Sequence, residues 1–153
     1  MTQKSQTQYP AECTSPGKKI QYLSTVLLPQ HAFESYLLLL SELLDDGVHY
    51  IDPVHELTGK ESVLQMLEKV IPRAANSEFR FDLILDSPEA LVWRWTIVIR
   101  LRILPVRFTI HGLVYAELQE GKIVSQREYY DPMESIGKIP LLGALYKLAL
   151  KMG

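Results

Sequence analysis

The sequence predicts an α+β domain in which N-terminal helices pack inside a strongly curved antiparallel sheet. Two observations carry that expectation. Apolar residues recur at helical intervals through the early part of the chain and again over residues 60–71. After Asn76 the period changes to 2 and holds for about fifty residues, the mark of an antiparallel meander with one face buried. Helices first and long strands last fit two packed layers, and a sheet bent enough to wrap the helices buries both sets of apolar faces.

Residues 1–17 are polar and broken by Pro10, Pro16 and Gly17, so they read as a flexible N-terminal arm before a single domain over 18–153. From Lys18 to Leu28, Ile20, Leu23, Val26 and Leu27 keep a helical period, and Pro29 ends it. Phe33, Tyr36, Leu37, Leu40, Leu43 and Leu44 form the stripe of a second helix. Leu38 and Leu39 widen that stripe until most sides need burial, and Asp45-Asp46-Gly47 is the stop. Val48 to Asp52 is a short strand. Thr58 and Glu61 have capping-box spacing for a helix over Lys60 to Ile71, which Pro72 should stop. Four strands follow. Phe79, Phe81, Leu83 and Leu85 face the core on the first, Ser87-Pro88-Glu89 turns the chain, and Trp93, Trp95, Ile97, Ile99 and Leu101 face the core on the second. After a break at Leu104-Pro105, Arg107 to Leu118 is the third, with Gly112 read as a bulge. Glu120-Gly121 is a hairpin turn into the fourth, Lys122 to Tyr130. Ile139 to Lys151 is apolar nearly all round yet too short to span a bilayer. It reads as a helix packed on the sheet or on a sister subunit, with a membrane interface as the alternative.

Composition excludes several functions. The chain of 153 residues has a formal net charge of −2 with Lys and Arg scattered, which offers no field for a nucleic-acid backbone. The one cysteine, Cys13, cannot form an intrachain disulfide and fits a reducing compartment. The leader lacks the apolar core of a secretory signal, so the expected location is the cytoplasm. Four histidines, none spaced i, i+4, give no metal signature, and no cofactor is expected.

Chemistry concentrates in Tyr50-Ile51-Asp52-Pro53-Val54-His55-Glu56-Leu57-Thr58-Gly59. Pro53 biases Asp52 toward an extended conformation, so its carboxylate ends a strand with a defined direction. Two readings stand side by side: a general base whose pKa burial raises, or a turn cap that accepts backbone N–H groups. His55 and Glu56 pair at a pocket rim or lie solvated in a loop, and His111 either faces a ligand or is a core histidine. Trp93 and Trp95 share a strand face that can line one cavity or pack as core. Parity puts Glu128 with Tyr130 on one face of the last strand and Tyr129 with Asp131 on the other, without saying which pair lines the cavity.

The order of elements resembles the nuclear transport factor 2-like fold. Asp52-Pro53-Val54 followed by Gly59 and a helix is similar to the ketosteroid isomerase segment that carries the catalytic base. Gly112, Gly121-Lys122-Ile123 and Arg127-Glu128-Tyr129-Tyr130-Asp131 resemble the last two strands of the SnoaL-like and limonene epoxide hydrolase-like branches. The resemblance runs over about residues 20–150 and implies a cone whose open end takes a hydrophobic ligand, in a homodimer. It implies Asp52 as catalytic base with His111 or a Tyr polarising a carbonyl oxygen, and Tyr50, His55, Trp93, Trp95, Glu128 and Tyr130 around a steroid- or polyketide-like substrate. The product is an isomerase or lyase; the alternative is a non-catalytic module that binds a ligand or a partner protein. Epoxide hydrolysis ranks below both, because Arg94 has no acid beside it in the sequence.

Overall fold

In the computed structural model, which describes residues 7–100, 107–136, 144, 147, 148 and 151, the first helix begins at Ser15. Its hydroxyl accepts the Lys18 N–H at 3.3 Å, and Pro16 takes the first helical position, where its missing N–H costs nothing. Helix α1 (Pro16–Tyr22) continues into a π-helical stretch, Leu23–Leu27. Ahead of it, the Tyr9 hydroxyl donates to the Leu39 carbonyl at 2.6 Å and Cys13 is buried, so this part of the leader lies against the fold.

Helix α2 (Phe33–Leu43) carries a wide apolar surface, and Leu39 and Leu43 are fully buried with Leu23 and Leu27. Each such side chain contributes about 1.5–3 kcal/mol of hydrophobic stabilisation. Strand β1 (Leu44–Ile51) starts four residues earlier than the sequence suggests. Asp45-Asp46-Gly47 is an irregularity inside that strand, where pairing shifts between Leu44 and His49 and Asp45 Oδ1 accepts the Gly47 N–H at 2.9 Å. A turn signal and a bulge use the same residues. Strand β2 (Glu56–Thr58) is too short for a periodic signal.

Helix α3 (Lys60–Ala75) departs twice from expectation. Thr58 belongs to β2, so no capping box forms; Gly59, at φ 95°, takes the cap position without a side-chain bond. The helix also passes through Pro72, which removes one N–H from the ladder, and it closes where Asn76 Nδ2 and N–H reach the Pro72 carbonyl at 2.8 and 3.2 Å.

Strands β3 (Glu78–Asp86), β4 (Ala90–Arg100), β5 (Arg107–Gln119) and β6 (Lys122–Tyr130) form the expected meander, and α4 (Met133–Ile136) follows. The break at 104–105 and most of the expected helix at 139–151 lie outside the described residues. The sheet order is β2-β1-β6-β5-β4-β3, antiparallel except for the parallel pair β1–β6. That pair is reached by a crossover through α3 and four strands, the long connection that parallel strands need. Pairing runs unbroken through Gly112 opposite Trp95, so Gly112 is no bulge; the β3–β4 and β5–β6 pairings shift instead at Leu83/Leu85 and Glu117/Leu118.

The β5–β6 turn has positive φ at both central residues, Glu120 at 50° and Gly121 at 75°, which matches the twist of the flanking strands. Gly121→Ala is expected to cost about 1 kcal/mol through backbone strain alone, since a Cβ there meets nothing within 4 Å. A lower urea midpoint at constant slope would show it; an unchanged midpoint would contradict it.

Candidate functional site

Between the helices and the inner face of the sheet lies an apolar cavity of about 210 Å³. Tyr36 and Leu40 from α2, Met66 and Leu67 from α3, and Trp93 and Trp95 from β4 line it. The register decides which residues of β6 join them. Trp95, Gly112 and Tyr130 are partners in one row across the sheet, as are Trp93, Val114 and Glu128 in the next. Glu128 and Tyr130 therefore line the cavity, while Tyr129 and Asp131 are exposed.

At the polar end, β1 delivers Tyr50, and Asp52 follows its last residue. The Asp52 side chain is 5 % exposed. Oδ1 accepts the Val54 and His55 N–H groups, each at 2.7 Å; Oδ2 accepts the Tyr50 hydroxyl at 3.0 Å and lies 3.0 Å from His55 Nδ1. Asp52 is both turn cap and cavity acid. Burial pushes its carboxyl up, but bonds from Val54, His55 and Tyr50 outweigh burial, so its pKa lies below the ordinary value. The expected increase is thus reversed, because these donors stabilise the anion more than apolar walls destabilise it.

Glu128 goes the other way. Burial, reinforced by the Asp52 charge, pushes its carboxyl up to about 7, against hydrogen bonds with Gln126, Tyr50 and Trp95. Gln126 Nε2 donates to Glu128 Oε1 at 3.0 Å. Tyr50 joins the two acids: its single O–H goes to Asp52, and its oxygen can accept from a protonated Glu128. Burial and the two carboxylates keep Tyr50 a phenol, and they push Tyr130 up to about 12. One proton can therefore reside at Glu128 near neutral pH and be given up, while Asp52 stays an anion.

His55 lines the cavity beside Asp52, but His111 does not join them. One residue out of step with Gly112, it faces outward, with Nδ1 3.1 Å from Thr96 Oγ1 and its backbone N–H 3.4 Å from Glu134 Oε2. The unbulged pairing fixes that parity. Arg94 also faces outward, where it pairs with Asp82 of the neighbouring strand at 2.9 Å. Sequence reasoning missed Gln126, which the parity of Glu128 and Tyr130 would have found, and it gave Tyr36 no site role. On the outside, a more open cleft lined by Ile51, Pro53, Arg127 and Asp131 shares Asp52, Glu128 and Tyr130 with the cavity. Among the described residues, no three metal-ligating side chains come together, and no helix is long and apolar enough to cross a membrane.

A model of the SnoaL-like domain matches residues 37–126, from α2 into β6. The chain belongs to the SnoaL-like domain family. Solved structures agree on the nuclear transport factor 2-like fold. A candidate SnoaL-like polyketide cyclase from Jannaschia superposes with TM-score 0.62 at 13 % identity, covering 87 % of this chain and 99 % of that one. An LEH-like epoxide hydrolase from M. tuberculosis gives 0.55 at 16 % identity, covering 89 % and 96 %. A candidate ketosteroid isomerase from Kribbella flavida gives 0.51 at 14 % identity, covering 76 % and 77 %. No curated protein matches this SnoaL-like chain.

Proposed function

We propose that this SnoaL-like domain binds a small hydrophobic carbonyl compound and moves a proton on it, as an isomerase or lyase, with Glu128 taking and returning the proton. One observation carries the reading: two acids share the polar end of an apolar cavity, and their surroundings drive their pKa values apart. A base that titrates near neutral pH combines the correct protonation state with driving force for transfer. Asp52, its oxygens occupied by donors, serves as the fixed charge that raises Glu128 and anchors Tyr50. Charge developing on the substrate oxygen needs a donor, and Tyr130, a phenol at neutral pH, lines the same space.

The volume, about 210 Å³, is below the ~300 Å³ at which drug-sized ligands begin to fit, which favours one- or two-ring compounds over four fused rings. Among the described residues no arginine lines the cavity, which argues against epoxide opening by an Arg-assisted acid pair. The exposed Leu113, Tyr115 and Tyr129 on the outer face support a homodimer, and the single cysteine supports a cytoplasmic setting.

The test follows Trp93 and Trp95 fluorescence while bicyclic enones are added between pH 5.5 and 8.5, with exchange of their α-hydrogens in D2O read by NMR. Quenching with an affinity that changes around pH 7, together with exchange that Glu128→Gln abolishes, is the expected result. Absence of binding would overturn the reading. Binding without exchange would leave the non-catalytic ligand-binding alternative.

A further inference from the structure

Gly112 sits mid-strand with no conformational reason to be glycine, since its φ is not among the positive values found in this chain. Its reason is space. A Cβ built there would lie 2.1 Å from Cε2, 2.3 Å from Cζ2 and 2.7 Å from Nε1 of Trp95, so the indole occupies the volume that any other side chain at 112 would fill. Gly112 lies between Trp95 and Tyr130 in the row across the sheet. An indole laid across β5 therefore reaches β6, where its ring centroid is 5.6 Å from that of Tyr130 and it hydrogen-bonds with Glu128.

We propose that Gly112 is a positioning residue of the site: by carrying no side chain it lets the Trp95 indole cross β5 and present its N–H to the Glu128 carboxylate. This rests on the reading of Glu128 as the proton-transfer group. Among the described residues the other groups facing Glu128 are Gln126 and Tyr130 on its own strand, Tyr50 from β1, Asp52 just after it, and Tyr36 from α2. The residues that α3 places in the cavity, Val63, Met66, Leu67, Val70, Ile71 and Ala74, are all apolar. The indole is thus the donor that β4 supplies to the anion, and displacing it favours the protonated acid.

The experiment titrates full-length protein carrying carboxyl-labelled glutamate by ¹³C NMR without ligand, with the Glu128 signal assigned by its loss in Glu128→Gln. Trp95→Phe, which keeps a ring but has no N–H, is expected to raise the Glu128 midpoint by about one pH unit, the scale of one hydrogen bond to a charge. Gly112→Ala should raise it similarly, and combining it with Trp95→Phe should add little. An unmoved midpoint in Trp95→Phe, or additive shifts in the pair, would overturn the proposal. If Gly112→Ala is too unstable to titrate, the Trp95→Ala background decides. Melting unchanged by adding Gly112→Ala there supports the indole as the group the methyl meets, and a further loss overturns it. A wild-type midpoint at an ordinary glutamate value would instead sink the reading of Glu128 itself, whatever the variants do.

Discussion

Glu128→Gln is expected to stabilise the protein by about 3 kcal/mol at pH 8 and to leave it near wild type at pH 5. The carboxyl moves from an ordinary 4.5 to about 7 on folding. Between those values the folded state holds a proton that the unfolded state has released, so stability falls as pH rises through that window. At about 1.4 kcal/mol per pH unit, the ionised form costs about 3 kcal/mol once pH exceeds the folded value. Glutamine cannot ionise, yet it keeps an amide oxygen to accept from Gln126 and an amide N–H to donate to the Tyr50 oxygen, so the variant escapes that cost. Urea denaturation at pH 5 and pH 8 reads the difference directly. Parallel curves for the two proteins at both pH values would mean that Glu128 is solvated like a surface acid. The expected exchange of stability for function is typical of a group held in a strained protonation state.

The sequence made the large elements legible because their periods are long enough to register. The Leu-rich stripe of α2 and the alternation through β3 to β6 each extend over nine residues or more. Short or dual-purpose signals failed. Strand β2 has three residues, and a glycine inside a strand is read as a bulge or as a close approach, of which Gly112 is the second. Of the site, the Asp52 turn was visible because its partners are two and three residues away. Glu128 was visible as a residue but not in its role, since its pKa depends on Tyr50, Trp95 and Asp52, which only the assembled sheet brings to it. The outward turn of His111 was equally hidden, because strand parity has no fixed sign until one row is known to face the helices.

Asp52→Ala is expected to destabilise the protein by about 2–4 kcal/mol at pH 7, because truncation strands donors at a nearly buried position. The Val54 and His55 N–H groups and the Tyr50 hydroxyl all lose their acceptor, and each unmet donor costs about 1–3 kcal/mol where water cannot replace it. The folded-state pKa of Asp52 is depressed, so its contribution is fully present above the ordinary value of 3.8 and fades as pH falls through the lower, folded value. Denaturation midpoints of wild type and variant should therefore converge in acid, and a gap independent of pH would mean that the charge of Asp52 is not what holds the turn. Asp52→Asn separates charge from shape. It keeps an oxygen for the turn but removes the anion that helps raise Glu128, so the Glu128 midpoint should fall toward the ordinary glutamate value. That direction is opposite to the one expected when the Trp95 N–H is lost. A single NMR titration of the two variants thus tests whether the acids act on each other across Tyr50 or respond independently to burial.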